Sequence, residues 1–298
     1  MNTQSNAVSG VDAQRVVPEA MAETRPLYWS VRRELWENRS IFIAPLAAAG
    51  LVVFGFLIAT VSRAMATRDL AQRAAVLGQP YTFASGLIMA TALLVGIFYS
   101  LDALYGERRD RSILFWKSLP VSDLTIVLAK ASIPLVVLPL LTIGIIVVTQ
   151  FVMAALSSLV LLGSGLSVAT LWTQLVESQG MLIYHLITVH VLWHAPIYCW
   201  LLLVSAWARR LTFVWAALPP LAIAVVEKIA FNTTHFANLM GYRLSGPEHY
   251  DMGGGAGHFM LGADPGKFLS SPGLWIGLVL AGLFLAGAVR LRRYQGPI

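Results

Sequence analysis

From Ile126 to Leu162 the chain is an apolar run of roughly 37 residues, which as a helix would measure about 55 Å. About 20 such residues already cross the ~30 Å of hydrocarbon in a bilayer. A segment of this kind has no water partners for its peptide groups and must satisfy them internally, which leaves the α-helix. Pro134 and Pro139 stand near its start and are expected to kink it. From Gly144 to Leu162 no Gly/Asn/Pro cluster reverses the chain, so the run reads as one long protruding helix and not as two crossings.

Five further stretches reach spanning length: Ile41 to Ser62, Gly86 to Tyr105, Met181 to Trp207, Thr212 to Phe231 and Ser271 to Val289. The expected fold is therefore an all-α integral membrane protein with six transmembrane helices, forming one domain over residues 41–298. Only 12% of the 298 residues are charged and 57% are hydrophobic, far from the roughly 25% charged residues of soluble domains. The runs are continuous, without the alternation of a membrane β-barrel. The single cysteine, Cys199, falls within a predicted span, which excludes a disulfide framework and a Cys-rich metal site. The net charge of +6 is spread in short clusters at span ends, and that pattern argues against a nucleic-acid surface.

Those clusters set an orientation. With six spans, Arg32, Arg33 and Arg39, then Arg108, Arg109, Arg111 and Lys117, then Arg209 and Arg210, then Arg290, Arg292 and Arg293 all fall on one side. The positive-inside rule makes that side, and both termini, cytoplasmic. Arg63, Arg68 and Arg73 in the first external loop run against the rule. Residues 1–26 are polar, lack the apolar core of a signal peptide, and read as a disordered tail. Residues 27–40 read as an interfacial elbow helix: Leu27, Tyr28, Val31 and Leu35 share one face, Arg33, Glu34 and Glu37 oppose it, and Trp29 and Trp36 flank it. The largest external loop, residues 232–270, carries Gly246-Pro247, Gly253-Gly254-Gly255 and Asp264-Pro265-Gly266 as turn signals, with short apolar patches that suit small helices.

Between the second and third spans, residues 106–123 hold Ile113, Leu114, Phe115, Trp116 and Leu119 among charges. A solvated loop has no reason to gather apolar groups that are costly in water, so a partner is expected to cover them. The stretch Asp102-Ala-Leu-Tyr-Gly-Glu-Arg-Arg-Asp-Arg-Ser-Ile-Leu-Phe-Trp-Lys-Ser-Leu-Pro-Val-Ser-Asp123 resembles the cytoplasmic loop of bacterial ATP-binding-cassette type-2 transporter permeases. Those proteins commonly carry Glu-Arg-Glu-x-Gly-Thr-Leu-Glu and close on a Leu-Pro-Val-Ser-like end. Glu107 and Arg108 match the opening, Ser112 and Ile113 stand in place of Thr-Leu, and Leu119-Pro120-Val121-Ser122 matches the close. Arg111 replaces the usual Gly.

The resemblance implies a short coupling helix that sits in a groove of a separate ATP-hydrolysing subunit. Ser112 is expected to cap a helix over Ile113 to Ser118, with Pro120 ending it. Docking then falls to Glu107, Arg108, Arg109, Asp110, Arg111, Ser112, Ile113, Leu114, Phe115, Trp116, Lys117, Ser118, Leu119 and Pro120, with Phe115 and Trp116 as anchors. The implied assembly is a permease subunit of an exporter in the bacterial inner membrane, paired with a second permease copy and two ATPase subunits that hold ATP and magnesium. This chain offers no phosphate loop of its own. Its nearest approach, Gly262-Ala-Asp-Pro-Gly-Lys-Phe268, is one residue short and lacks the Ser or Thr that would hold magnesium.

Other polar groups permit different readings. His185, His190 and His194 fall in the fourth span, where ionisable residues mostly line a polar cavity or join helices. His190, His194 and Glu227 mark a candidate substrate path, and no cofactor or metal is expected on this chain. The competing reading is a haem or metal protein built on those histidines and on the external Glu248, His249, Asp251 and His258. A further alternative is a carrier or channel that uses no ATPase. Pro219-Pro220 is expected to bend the fifth span.

Overall fold

The computed structural model describes residues 26–66, 70–162, 168–245 and 265–298, and every regular element among them is helical. The expected N-terminal tail and the Glu248, His249, Asp251 and His258 cluster lie outside the described residues. The chain order is α1 (Pro26–Glu37), α2 (Ser40–Ala66), α3 (Leu70–Asp102), α4 (Tyr105–Arg109), α5 (Ser112–Ser118), α6 (Asp123–Ser132) and α7 (Leu138–Leu162). There follow α8 (Val168–His185), α9 (Ala195–Trp207), α10 (Thr212–Phe231), α11 (His235–Ser245), α12 (Pro265–Ser270) and α13 (Pro272–Tyr294).

Six helical stretches are long and apolar enough to cross a membrane: Ser40–Ala59, Pro80–Arg109, Asp123–Leu159, Leu171–Trp193, Thr212–Phe231 and Pro272–Tyr294. Three of them depart from their expected limits. Helix α3 begins at Leu70, inside the segment expected to be loop, because Leu70, Ala71, Gln72, Ala74 and Ala75 are strong helix formers that carry the helix beyond its apolar zone. Helix α13 runs on past Val289 to Tyr294, so its arginines lie on helical turns. The fourth span is not the uninterrupted Met181–Trp207 run. Pro196 has no N–H and crowds the carbonyl four residues back. The helix widens into π turns over Leu186–Trp193, passes through His194 at φ −85° and ψ −5°, and restarts as α9.

The long third run is continuous, as expected, and its hydrogen-bond pattern changes at Pro134. Pro134 offers no N–H to the Lys130 carbonyl, which takes the Ile133 N–H instead. A π segment, Ile133–Val137, then joins α6 to α7. The two π segments pack against each other, so both long spans change pitch at the same level. Helix α10 runs unbroken through Pro219-Pro220.

Small residues bring the helices together. Helices α9 and α13 pack along their length, with Ala195, Cys199 and Ala281 in one buried cluster and Ala206 and Ala288 beside Leu104 and Val127 in another. Gly96 of α3 faces the buried Tyr198 ring so closely that a Cβ there would stand 2.9 Å from Cε1. Without water to drive association inside a bilayer, such close approach and the dispersion it permits hold spans together. The outer surface is correspondingly apolar: Leu51, Phe54, Phe83, Leu140, Leu221 and Ile229 are all exposed.

Candidate functional site at the charged end of the bundle

Four arginine-bearing segments meet at one end of the bundle: α1, the α4–α5 turn, the residues after α9, and the end of α13. The turn is fixed from below. Ser205 Oγ of α9 accepts the Leu104 and Tyr105 N–H groups at 2.9 and 2.8 Å. Arg108 reaches in to donate to the carbonyls of Ala206 and Ala208, which α9 leaves unpaired at its C-terminus. The last residue of the chain, Ile298, donates its N–H to the Arg108 carbonyl at 3.2 Å.

Asp110 and Arg111 then reverse the chain. Arg111 sits at φ 59° and ψ 6°, the left-handed region that favours glycine. It also precedes α5 as the cap residue, and no side chain caps that helix. Ser112 is the first helical residue and donates to the Glu107 carbonyl at 3.4 Å, so the expected Ser112 cap is not formed. At the other end Leu119 is extended, as a residue before proline must be, and Pro120 follows the helix. Ser122 Oγ accepts the Thr125 N–H at 3.1 Å and starts α6.

Beneath this turn lies a charge cluster that sequence reasoning did not identify. Glu34 of α1 is 1% exposed and accepts Lys130 Nζ at 2.8 Å, Arg33 Nη2 at 2.6 Å and the Tyr99 hydroxyl at 2.8 Å. Lys130 Nζ also stands 3.1 Å from Glu107 Oε1, and Arg33 Nη2 stands 3.3 Å from the same oxygen. Arg292 of α13 grips Glu107 Oε2 and extends Nε to Asp123 at 3.2 Å. Glu34, Glu107 and Asp123 thus face Arg33, Lys130 and Arg292, with the exposed Glu37 3.5 Å from Arg33 at the rim, so the buried charges are paired as they must be. Burial alone would raise the Glu34 carboxyl; Lys130, Arg33 and the Tyr99 hydroxyl outweigh it and hold the group below its ordinary range.

This corrects the expected placement of one α1 residue, Glu34. The residue expected opposite the apolar face is buried, while Leu27, Tyr28, Trp29 and Trp36 point outward with Arg32 between the two indoles. Val31 and Leu35 pack against the core, as expected of the apolar face. The acid turns inward because the only ammonium in the third span, Lys130, is there to meet it.

Of the fourteen residues assigned to docking, Glu107, Arg108 and Ile113 face inward and are committed within the chain. Trp116 is half-buried beneath the Arg33 guanidinium, 3.6 Å from its ring centroid. Lys117 donates to the Gln295 and Arg293 carbonyls at 3.0 and 3.4 Å. Ser112 and Leu119 are half-buried. The exposed remainder is Arg109, Asp110, Arg111, Leu114, Phe115, Ser118 and Pro120, with the Lys117 stem. Helix α5 is therefore two-sided, with Ile113 at 1% exposure opposite Leu114 at 58% and Phe115 at 60%.

Of the candidate path residues, His190 and His194 lie side by side, while Glu227 sits on a different helix. His190 and His194 are buried with His185, the His185–His190 and His190–His194 ring centroids lying 6.0 and 5.4 Å apart, and His194 Nε2 lies 3.2 Å from the Leu244 carbonyl. Glu227 is on the outer helix α10 and accepts the His235 and Phe236 N–H groups at 2.7 and 2.8 Å and the Thr233 hydroxyl at 2.7 Å. It caps the start of α11. Helix α11 in turn covers the π segment, with Arg243 stacked 4.2 Å over Trp193. Among the described residues no group of three or more His, Cys, Asp or Glu is placed to hold a metal ion. No family model, no curated protein and no solved structure matches the chain.

Proposed function

We propose that this chain is the permease subunit of an ATP-driven exporter in a bacterial inner membrane, with its charged end in the cytoplasm. The observation that carries this reading is the two-sided helix α5, which shows Leu114 and Phe115 to the outside and is tied on its inner side to the charge cluster. An exposed aromatic anchor rimmed by Arg109, Asp110 and Arg111 has the composition of a docking site for another protein. The resemblance gains support from position 111, where the permease pattern has glycine and this backbone adopts positive φ.

Force on α5 would pass by a short route. Trp116 bears on Arg33, Arg33 on Glu107 and Glu34, and these on Lys130 at the foot of the longest span and Arg292 at the foot of the last. Nucleotide acts through its different affinity for two arrangements of the partner ATPases, and the cluster converts the resulting displacement of α5 into movement of whole spans. Two permease copies over two ATPases complete the assembly, with an outward-opening path between protomers. The outward aromatic face of α1 suits the headgroup layer. The mostly apolar interior favours an amphipathic or hydrophobic cargo.

The test is purification from the native host in mild detergent. An ATP-hydrolysing subunit should accompany the chain, and Leu114→Asp with Phe115→Asp should release it while the permease still inserts. Full ATP-coupled transport by that double variant, or transport by the chain alone in liposomes without ATP, would refute the assignment.

A further inference from the structure

A groove of about 590 Å³ opens on the outer side of the bundle between α6 and α13. It is lined by Leu124, Val127 and Leu128 of α6 and by Gly282, Leu285, Ala286 and Val289 of α13. Arg290, Arg293 and Tyr294 stand at its mouth. Arg290 lies 18 positions beyond Pro272, about 27 Å along the helix, which places the mouth at the edge of a ~30 Å hydrocarbon layer. From Arg293 down to Gly282 the groove runs roughly 16 Å along the helix, the length of the upper part of an acyl chain.

Charge singles out the occupant. Arg290 and Arg293 are one helical turn apart on the exposed face, and neither makes an ion pair with any described residue. Asp123, the acid at the adjoining end of α6, is engaged by Arg292 and does not neutralise them. Two unpaired guanidiniums above an apolar slot match a phosphate joined to a hydrocarbon chain, and basic pockets between spans at the headgroup level hold lipids of that kind. We infer that the α6–α13 groove binds one anionic phospholipid, its phosphodiester on Arg290 and Arg293 and an acyl chain along Leu128, Gly282 and Ala286. The lipid braces the feet of the third and last spans against each other beside the Arg292–Glu107 contact. This site depends only on the chain crossing a membrane, so it stands or falls independently of an ATPase partner.

Native mass spectrometry of delipidated protein tests it, with phosphatidylglycerol and phosphatidylcholine of identical chains and inorganic phosphate as a competitor. Phosphatidylglycerol should bind about tenfold more tightly than phosphatidylcholine, and inorganic phosphate at equal concentration should leave it in place. Arg290→Gln with Arg293→Gln should abolish the preference, and Arg210→Gln should not. Gly282→Leu fills the groove, and since a Cβ at Gly282 meets nothing within 4 Å it should fold normally yet lose both lipids. Retention of the preference by the double glutamine variant would overturn the proposal. So would unchanged binding in Gly282→Leu, or a loss of dimer in that variant with lipid binding intact, which would make the groove a protein seam.

Discussion

The Lys130 ammonium lies 2.8 Å from Glu34 Oε1 although 96 residues separate the two in sequence. It joins the helix that precedes the first span to the foot of the third, and Glu107 adds the α4–α5 turn to the same ammonium at 3.1 Å. A buried pair of this kind contributes less to stability than its removal would cost, because each ion left alone keeps its desolvation penalty.

Lys130→Met should therefore destabilise the protein by about 3–5 kcal/mol. Adding Glu34→Gln to that variant should recover part of the loss, since the orphaned carboxylate is then neutral. Recovery stays incomplete because Glu107 also loses a partner. Unfolding in detergent micelles, run as a double-mutant cycle, measures both terms.

Acid should weaken the same junction. The Glu34 carboxyl is held below its ordinary range in the folded chain, so its contribution is full above the unfolded value, about pH 4.3. It is lost as pH falls through the lower folded value. Thermal midpoints should stay level from pH 7 to about 5 and drop below that, and Glu34→Gln should start lower at pH 7 with a smaller further loss in acid. Equal acid losses in both proteins would show that Glu34 is not the group responsible.

Arg111 offers a backbone test. A non-glycine residue in the left-handed region costs about 1–2 kcal/mol, and a β-branched side chain tolerates it least. Arg111→Gly should be neutral or stabilising by up to about 1 kcal/mol, while Arg111→Val should lose about 1–2 kcal/mol. Hydrogen exchange of the Ser112–Ser118 amides would report the same order locally.

On the proposed docking role, the two rings of α5 should behave differently. Phe115 is exposed, so Phe115→Ala should weaken partner binding by about tenfold or more, the effect of losing an interface anchor. Trp116 lies under Arg33, so Trp116→Ala should leave much of the binding but lower transport per ATP hydrolysed. Pull-down affinity and coupled transport, measured on both variants, separate docking from transmission. Identical profiles for the two would rule out that division.

Helix packing supplies a control on the fold itself. Gly96→Ala drives a methyl against the buried Tyr198 ring and should cost about 1–3 kcal/mol. Gly50→Ala, where a Cβ meets nothing within 4 Å, should be neutral or stabilising by about 0.5–1 kcal/mol. Chemical unfolding of the two variants side by side checks the α3–α9 contact.

The number of spans, the continuous Ile126–Leu162 helix and a local disturbance at Pro134 were all legible in the chain, because apolar length and proline chemistry act locally. The break at His194 is written in Pro196, whose missing N–H disturbs the preceding turn. Lys130 gave a second neglected signal: as the one charge in the Ile126–Leu162 run it required a partner. Which partner it takes was decided only in three dimensions. Glu34, Glu107, Arg292 and Asp123 come from α1, α4, α13 and α6, and nothing in their spacing announces that helix packing will gather them. The same packing turned Glu107, Arg108 and Ile113 inward and left Leu114 and Phe115 outside. Local propensity fixes where helices start and stop; a buried charge is settled by whichever opposite charge the assembled bundle brings within reach.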